Sequence, residues 1–454
     1  MYKKILEKLK NKKIAIMGYG KEGKSTYNFI RRHDKLTPIT ILDKNDILKN
    51  NEYLKKDINT NIICGNTYLD NLDEYDLIIK SPGIALLDID TKQIENKITS
   101  QLELLLEINK KNVIGITGTK GKSTTSSMIY KVIKEQNYDT FLLGNIGNPI
   151  LDQIEKFKND TILVIEMSSH QLEYVKNSPH IGIILNLYED HLDHTKTLEK
   201  YHNDKMHIFK YQDEHDIGIY DGENKYLTNL VNKNNYKSKL YQFKTTEQSD
   251  IYLKENQIYL DNKIVYDGNQ KRKLIGDHNL KNIMVVMLIC KIFNLNIEKA
   301  NKSINEFTPL EHRLEIVGTY NNITYINDTI ATIPEATING INGLIKVDTL
   351  IFGGMDRKIN YNEFITFLEK SNISNLIGLP ETGHKILDKI NTNKKTFKVE
   401  TIEEAVSLAN TYTKPNHICL LSPAASSYNK FKNFEEKGNY YKQLIKNKYK
   451  KSDN

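Results

Sequence analysis

The residues with the clearest chemical purpose run from Gly115 to Thr125 and read Gly-Ile-Thr-Gly-Thr-Lys-Gly-Lys-Ser-Thr-Thr. They follow a short apolar strand and precede a helical run that we expect to start near Ser126. Glycines let backbone N–H groups approach a polyphosphate, and the N-terminus of a helix adds positive potential there. Lys122 can reach the terminal phosphates, and the hydroxyl of Ser123 can bind Mg²⁺. The segment therefore predicts an ATP site rather than an ordinary glycine-rich turn.

A second glycine loop lies near the N-terminus. Residues Gly18 to Gly23 read Gly-Tyr-Gly-Lys-Glu-Gly after an apolar strand, and Asp43 ends the next strand twenty residues beyond the loop. This spacing is typical of a dinucleotide site, in which the glycines hold a pyrophosphate and the acid holds a ribose. Through Lys24 and Ser25 the same loop also fits the formal phosphate-loop pattern, whereas the later loop has Ile116 where that pattern needs glycine.

The residues downstream of each loop separate the two assignments. An apolar strand follows the later loop and ends in Glu166, a carboxylate suited to Mg²⁺. The strand that follows the first loop runs into the segment Lys80 to Gly83, which offers no metal-binding acid. We therefore expect ATP at the later loop and another phosphate-containing nucleotide at the first.

Acids and histidines cluster between Glu189 and His194, again after an apolar strand. Because the ATP loop precedes them, metal binding near the phosphates is the favoured interpretation, with His191 as the best candidate ligand. A zinc hydrolase site and a helix N-cap with solvent-facing histidines are the alternatives.

Polar residues also follow three strands of the last third of the chain. They are Asn327-Asp328, the segment Gly353 to Lys358, and the hydroxyl-rich segment Ser422 to Ser427. In an open α/β sheet, ligands bind outside the carboxyl ends of the strands. The three segments therefore predict one further binding site.

Composition limits the class of protein. The chain has 454 residues and a net charge of +7, and its basic residues are scattered rather than grouped. This distribution argues against a nucleic-acid-binding stripe. No run is long and apolar enough for a membrane span, the N-terminus is too polar for a signal sequence, and the three cysteines form no paired motif. We expect a cytoplasmic protein that neither binds nucleic acid nor inserts into membranes.

Strand and helix patterns predict an α/β protein of three domains. Residues 1–108 should form a Rossmann-like domain. Residues 109–312 should form a P-loop-type ATPase domain, to which alternating segments between about 216 and 272 add a small antiparallel sheet. Residues 313–454 should form a second Rossmann-like domain.

Taken together, these motifs resemble those of the Mur ligase family, over essentially the whole chain. The matching segments are Gly115–Thr125, Glu166–Leu172, Asp190–Asp193, His278-Asn279, His312-Arg313, Ser422–Ala424 and Phe431–Gly438. The last segment is similar to that of the family's D-glutamate-adding branch. The resemblance implies an ATP-dependent ligase that adds D-glutamate to UDP-N-acetylmuramoyl-L-alanine in cytoplasmic peptidoglycan precursor synthesis. It implies an acyl-phosphate intermediate, two Mg²⁺ ions and a monomer.

The resemblance also implies a role for individual residues. The expected ATP ligands are Gly118, Thr119, Lys120, Gly121, Lys122, Ser123, Thr124, Asn279 (adenine), Arg313 (phosphates) and Asp328 (ribose). The expected ligands of the UDP-sugar are Gly18, Gly20, Lys21, Asp43, Ser81, Gly83 and Asn145, and those of glutamate are Thr332, Arg357, Ser427 and Phe434. Lys122, His191 and Lys205 would be catalytic. Ser123 and Glu166 would serve one Mg²⁺, and His191 the other together with Lys205, which is carbamylated in the family.

The chain departs from the family pattern at a few positions. Ile330 stands where many relatives have lysine, Arg357 replaces another lysine, and Asn45 lacks a cation found in some relatives.

Three other functions stay open from the sequence. They are a sibling ligase that adds another amino acid to a muramoyl peptide or a folate, an NAD-dependent oxidoreductase, and a non-catalytic nucleotide-binding scaffold.

Overall fold

A computed structural model describes residues 1–87, 89–144, 148–188, 197–245, 249–274, 276–277, 279–308, 311–357, 359–428 and 430–450. The chain divides into two compact units. Unit 1 contains Met1–Gln270 and Leu280–Asn305, and unit 2 contains Lys271–Asn279 and Glu306–Asn454. The expected domain boundaries at residues 108 and 312 stay predictions.

The described strands form three sheets. They are β1 (Ile14–Met17), β2 (Ile39–Asp43), β3 (Thr60–Cys64), β4 (Leu77–Lys80), β5 (Ile98–Thr99), β6 (Val113–Thr117), β7 (Thr140–Gly144), β8 (Ile162–Glu166), β9 (Ile181–Ile184), β10 (Ile217–Asp221), β11 (Lys239–Lys244), β12 (Ile251–Lys254), β13 (Gln257–Leu260), β14 (Lys263–Asp267), β15 (Glu315–Tyr320), β16 (Ile323–Asn327), β17 (Val347–Phe352), β18 (Asn375–Gly378), β19 (Lys395–Lys398) and β20 (His417–Leu421).

The α-helices lie between these strands. They are α1 (Tyr2–Leu9), α2 (Lys21–His33), α3 (Glu52–Lys55), α4 (Gln101–Asn109), α5 (Lys122–Glu135), α6 (Ile150–Gln153), α7 (Ser169–Leu172), α8 (Leu198–Lys210), α9 (Lys225–Asn234), α10 (Asn279–Ile292), α11 (Ile297–Asn305), α12 (Pro334–Asn342), α13 (Asn362–Lys370), α14 (Thr382–Leu387), α15 (Ile402–Tyr412) and α16 (Phe434–Lys450).

Unit 1 holds the first two sheets. The first has the order β3-β2-β1-β4-β5 and is entirely parallel. The second has the order β14-β13-β12-β11-β10-β9-β6-β8-β7. Its strands β12, β13 and β14 pair antiparallel, which confirms the small antiparallel addition to a parallel sheet. One buried apolar cluster contains side chains from both sheets, including Ile16 and Leu163. The two sheets of unit 1 therefore share a core.

Unit 2 holds the third sheet, in the order β15-β16-β20-β17-β18-β19. Its strands are parallel except β15, which pairs antiparallel with β16 at one edge. Because β16, β20 and β17 are neighbours, their carboxyl ends lie side by side. The predicted α/β class with three sheets is confirmed.

Helix α5 begins earlier than the sequence pattern suggested. It starts at Lys122 rather than near Ser126, directly after Gly121, whose φ of +85° is left-handed. The hydroxyl residues that follow Lys122 therefore belong to the first turns of the helix. Among the described helices, none combines the length and apolar character that a membrane span requires.

The contacts of Asp57 help to stabilise the region around the first sheet. Its carboxylate accepts hydrogen bonds from Tyr27 and Thr60, both at 2.7 Å, and pairs with Arg31. Burial raises the pKa of Asp57, but these hydrogen bonds outweigh burial and lower the pKa to about 2. The folded state thus favours the ionised form of Asp57.

We predict that Asp57→Asn lowers the stability of the protein by about 2 kcal/mol, because it replaces a carboxylate acceptor of several hydrogen bonds. A lowered carboxyl pKa contributes stability that is complete above about pH 4 and is lost only as the pH falls towards about 2. Urea unfolding should therefore show the same difference from the unaltered protein at about pH 7 and about pH 5. Asp70→Asn, at an exposed position, is the matched control. An equal effect of both substitutions would contradict the prediction.

Candidate active site

The loop between β6 and α5 has the backbone geometry of a phosphate cradle. Gly118 and Gly121 both adopt positive φ values, +146° and +85°. A Cβ atom on Gly121 would lie 2.9 Å from the side-chain oxygen of Asn282, so the loop has no room for a larger residue there. The loop leads directly into the N-terminus of α5, where backbone N–H groups are available to an anion.

Asn186, which the sequence analysis did not select, braces this loop. Its backbone oxygen accepts the N–H of Thr119 at 3.1 Å, and its side-chain oxygen accepts the N–H of Lys120 at 2.8 Å. Its amide nitrogen donates to the carbonyl of Lys120 at 3.0 Å. The residue follows β9, a neighbour of β6, so only the sheet order reveals its position.

Two lysine side chains meet at one oxygen of the loop. The ammonium of Lys122 donates to the carbonyl of Gly118 at 2.8 Å, and that of Lys205 donates to the same oxygen at 3.1 Å. Lys205 comes from α8 and is 1% exposed, and its ammonium lies 4.6 Å from the ring centre of Tyr201. The fold thus brings together two of the predicted catalytic residues and concentrates positive charge at the phosphate loop.

The donors expected for Mg²⁺ also lie at this end of the sheet. Glu166 ends β8, is 1% exposed, and pairs with Ile116 of β6 in the sheet register. Ser123 lies in the first turn of α5 and is buried. A carboxylate and a hydroxyl are oxygen ligands of the kind that Mg²⁺ takes alongside phosphate oxygens, so the residues fit the ion. Within the described ranges no group of three or more acidic, histidine or cysteine side chains could hold a metal, and His191 lies outside them.

The first glycine loop gathers a second group of expected ligands in unit 1. Gly18 has a φ of +88°, and its carbonyl accepts the hydroxyl of Ser81 at 2.9 Å. Asp43 accepts the N–H of Tyr19 at 2.7 Å and that of Asn45 at 2.8 Å. The structure therefore brings the loop together with Asp43, which the spacing predicted, and with Ser81, which the resemblance implied. Of the other expected ligands, Gly20, Lys21 and Gly83 are exposed near these residues, and Asn145 lies outside the described residues.

A cluster of four charges, three of them buried and the fourth, Lys200, 40% exposed, connects the first sheet to α8, and the sequence analysis missed it. Lys80, the last residue of β4, lies 3.4 Å from Glu173, and Glu173 lies 2.8 Å from Lys200. Lys200 also pairs with Asp204 at 3.2 Å. Burial lowers the pKa of Lys80 and raises that of Asp204 to about 6. Asp204 precedes Lys205, so the cluster helps to fix the helix that carries this lysine.

A polar contact next to this cluster links the first glycine loop to α7. Gln171 donates its side-chain N–H to Glu22 at 3.0 Å. Burial raises the pKa of Glu22, although this hydrogen bond lowers it. Gln171 also completes a capping box with Ser168, which fixes the start of α7 shortly after Glu166.

The strand ends of unit 2 meet as the sequence predicted. The hydroxyl of Ser422 donates to Asp328 at 2.7 Å, and the N–H of Met355 donates to the carbonyl of Ser426 at 2.8 Å. Asp328 is fully enclosed, and burial raises its pKa to about 7, although hydrogen bonds from Ser422 and the backbone of Leu314 act in the opposite direction. Hydrogen bonds therefore join the three strand-end segments to one another.

The residues expected to bind glutamate are distributed around these strand ends. Thr332 follows β16, and Arg357 is exposed on the segment after β17. Ser427 is buried, and its hydroxyl has no hydrogen-bond partner in the part of the chain that the structure describes. Phe434 opens α16, and its ring contacts His312 edge-on at 6.0 Å between centres. The arrangement leaves polar atoms available for a small ligand.

The remaining expected residues occupy less informative positions. Asn279 begins α10 and is buried, and Arg313 is half-buried, with its Nε lacking an acceptor in the described part of unit 2. Among the departures from the family pattern, Asn45 has a local role, because its side chain accepts the N–H of Ile47 at 3.1 Å. Ile330 is half-buried, and its N–H donates to the carbonyl of His312 at 3.2 Å.

Two family models match separate parts of the chain. Residues 12–104 match the family model of the Mur ligase MurD-like N-terminal domain, and residues 116–290 match that of the Mur ligase middle domain. The two matches contain the first glycine loop and the phosphate loop, respectively.

Curated relatives align over nearly the whole chain. The UDP-N-acetylmuramoylalanine–D-glutamate ligase of Clostridioides difficile is 33% identical, with 97% of this chain and 99% of the relative covered. The ligase of the same name from Acetivibrio thermocellus is 31% identical, with 97% of each chain covered.

Solved structures show the same fold at lower identity. UDP-N-acetylmuramate-alanine ligase MurC of Thermotoga maritima has a TM-score of 0.60 and 18% identity, with 97% of this chain and all of that chain covered. MurF ligase of the same organism, crystallised with ADP, has a TM-score of 0.59 and 18% identity, with 82% and 90% covered. The identities of the curated relatives, their full-length coverage and both domain matches lead to one conclusion: the chain belongs to the Mur ligase family.

Proposed function

We propose that this protein is an ATP-dependent ligase that adds D-glutamate to UDP-N-acetylmuramoyl-L-alanine, a step of peptidoglycan precursor synthesis. The full-length similarity to D-glutamate ligases carries this proposal. The two lysines on the Gly118 carbonyl and the strand-end site of unit 2 support it. In this proposal the protein works as a monomer in the cytoplasm, where ATP and the UDP-sugar are supplied.

In the first step, a carboxylate oxygen of the alanyl group attacks the γ-phosphorus of ATP. A new oxygen–phosphorus bond forms, the bond to the β-phosphate oxygen breaks, and ADP leaves. Such a transfer depends on positioning and charge neutralisation rather than on a protein nucleophile. Lys122 and the N–H groups at the start of α5 would stabilise the charge on the transferred phosphoryl group.

In the second step, the amine of D-glutamate attacks the acyl carbon of the resulting acyl phosphate. The carbon–nitrogen bond forms, the amine loses a proton, and inorganic phosphate leaves with the carbon–oxygen bond electrons. Arg357 would hold a carboxylate of glutamate through paired N–H donors, and Ser427, Thr332 and Phe434 would complete the pocket. Arg357 thus preserves the charge that a lysine supplies in many relatives.

The residues of the central sheet would hold the metal. Ser123 and Glu166 would bind one Mg²⁺, which neutralises phosphate charge when bound. His191 and Lys205 would serve a second ion, with Lys205 as its carbamate. Carbamylation converts an ammonium into a carboxylate-like group. Its test is an intact mass, measured without acid denaturation, that exceeds the sequence mass by one carbon dioxide, whereas the mass of the Lys205→Ala variant should equal that of its own sequence.

The sheets would divide the substrates between them. The first sheet, with Gly18, Asp43 and Ser81, would bind the UDP-sugar, and the second would bind ATP. The third sheet would bind glutamate, and Arg313 and Asp328 would contact the phosphates and ribose of ATP. The boundaries at residues 108 and 312 are part of this proposal.

We predict that purified protein releases phosphate from ATP only when Mg²⁺, UDP-N-acetylmuramoyl-L-alanine and D-glutamate are all present. The acyl phosphate needs the carboxylate acceptor, and turnover needs an amine that fits the site of unit 2. The measurement is phosphate release with D-glutamate, L-glutamate and other amino acids supplied singly.

Turnover with another amino acid instead of D-glutamate would support the ligase mechanism but contradict D-glutamate as the substrate. The protein would then be a sibling ligase. ATP binding without turnover in any mixture would favour the nucleotide-binding scaffold. Tight binding of NAD to the first glycine loop would favour an oxidoreductase.

We predict that Lys122→Ala lowers kcat by roughly a hundredfold to a thousandfold, because it removes a charged donor from the developing phosphoryl charge. Lys233→Ala, on the exposed face of α9, is the matched control and should leave kcat unchanged. Steady-state phosphate release measures both variants. If Lys122→Ala retained the kcat of the control, the assignment of ATP to this loop would be wrong.

A further inference from the structure

Lys437 is a buried lysine that the proposed function does not use. It lies on α16, one turn beyond Phe434, and is 2% exposed. Its ammonium donates to the carbonyl of Gly353 at 2.9 Å. In the part of unit 2 that the structure describes, no carboxylate forms an ion pair with it.

This burial carries a free-energy cost. A charged amine removed from water without a counter-ion is strongly unfavourable, and the group tends to lose its charge instead. Burial lowers the pKa of Lys437 to about 7, with no other cause acting on it. Groups that weaken a fold in this way are concentrated at functional sites.

The partner of Lys437 is the first residue of a tightly fixed turn. Gly353 follows β17 with a φ of +114°, and a Cβ atom there would lie 2.3 Å from the carbonyl of Leu379. Its N–H donates to the carbonyl of Pro423 at 2.8 Å. The carbonyl of Gly354 accepts the N–H groups of Glu381 at 2.8 Å and of Thr382 at 3.0 Å. The turn therefore joins the ends of β17, β18 and β20.

Three of the four expected glutamate ligands lie on segments that meet at this turn. Arg357 follows it along the chain, and Ser427 is next to Ser426, whose carbonyl accepts the N–H of Met355 at 2.8 Å. Phe434 lies on the same helix as Lys437. The bond from Lys437 to Gly353 therefore ties α16 directly to the turn. It adds to the apolar cluster that Tyr441 and Ile445 of α16 share with β17 and β20.

We infer that Lys437 is a positioning residue for the amino-acid substrate. Its hydrogen bond to the Gly353 carbonyl sets the turn from Gly353 to Met355, and through it the placement of Arg357 and Ser427 relative to Phe434. This inference rests on the proposed function, because it concerns the site assigned to D-glutamate.

The test is the Lys437→Met variant, which keeps an unbranched side chain one atom shorter than that of lysine and removes the donor. Loss of one buried hydrogen bond to the turn should raise the KM for D-glutamate about tenfold. The KM values for ATP and the UDP-sugar should not change. The thermal midpoint should equal or exceed that of the unaltered protein, because the buried amine is gone. Lys446→Met, at an exposed position of α16, is the matched control and should change none of these.

Two further variants distinguish positioning from a general effect on folding. Lys437→Gln keeps an N–H donor and should give a KM for D-glutamate between those of the unaltered protein and Lys437→Met. In the Arg357→Met background, Lys437→Met should raise the KM for D-glutamate by a much smaller factor than it does in the unaltered protein, because Lys437 acts through the segment that carries Arg357.

An unchanged KM for D-glutamate in both Lys437 variants, or fully multiplicative effects with Arg357→Met, would overturn the inference. A lower thermal midpoint with an unchanged KM would assign Lys437 a structural role and would also overturn it. These outcomes require that the unaltered protein uses D-glutamate. If it does not, the proposed function fails at the earlier amino-acid test.

Discussion

The carbonyl oxygen of Gly118 is the point on which the arrangement of unit 1 depends. It accepts hydrogen bonds from Lys122 on one helix and from Lys205 on another, at 2.8 and 3.1 Å. Two unmodified ammonium groups this close repel each other. A ligand with several negative charges relieves that repulsion, and so would the conversion of Lys205 to its carbamate. A polyphosphate fits this requirement, and the N-terminus of α5 adds potential of the same sign. The lysine side chains and the N-terminus of α5 therefore favour such a ligand even without a metal ion.

The rest of unit 1 serves to hold these groups in place. Asn186 fixes the loop from one side through three hydrogen bonds, two of them from backbone N–H groups. The neighbouring strand β8 brings Glu166 to the same edge of the sheet. Helix α8 needs a separate anchor to present Lys205, and the ion pairs of Lys200 with Glu173 and Asp204 provide it. A site of this kind relies on rigid elements more than on loops.

Sequence could predict those parts of the site that depend on local order along the chain. A strand followed by glycines and then by a helix has a characteristic local geometry, so the phosphate loop and the first glycine loop could be identified. The meeting of the strand ends in unit 2 could be predicted because ligands bind at the carboxyl ends of parallel strands. Asn186 and Lys80 could not, because their partners are distant in sequence and become neighbours only through the sheet order. Strands β15 and β19 are also hard to identify from the sequence, because Gly318 interrupts the pattern of β15 and three of the four residues of β19 are exposed.

The four charges between the first sheet and α8, three of them buried, limit how the sequence can vary. Lys80 and Lys200 balance Glu173 and Asp204, so the cluster is neutral as a whole, although Lys80, Glu173 and Asp204 are largely removed from water. Loss of one member leaves a buried charge without compensation, whereas exchange of an oppositely charged pair for apolar residues of similar size costs little. Among homologues, these four positions should therefore change in concert, as pairs of opposite charge, and their joint substitution should mark lineages in which the first two sheets meet through a different set of contacts.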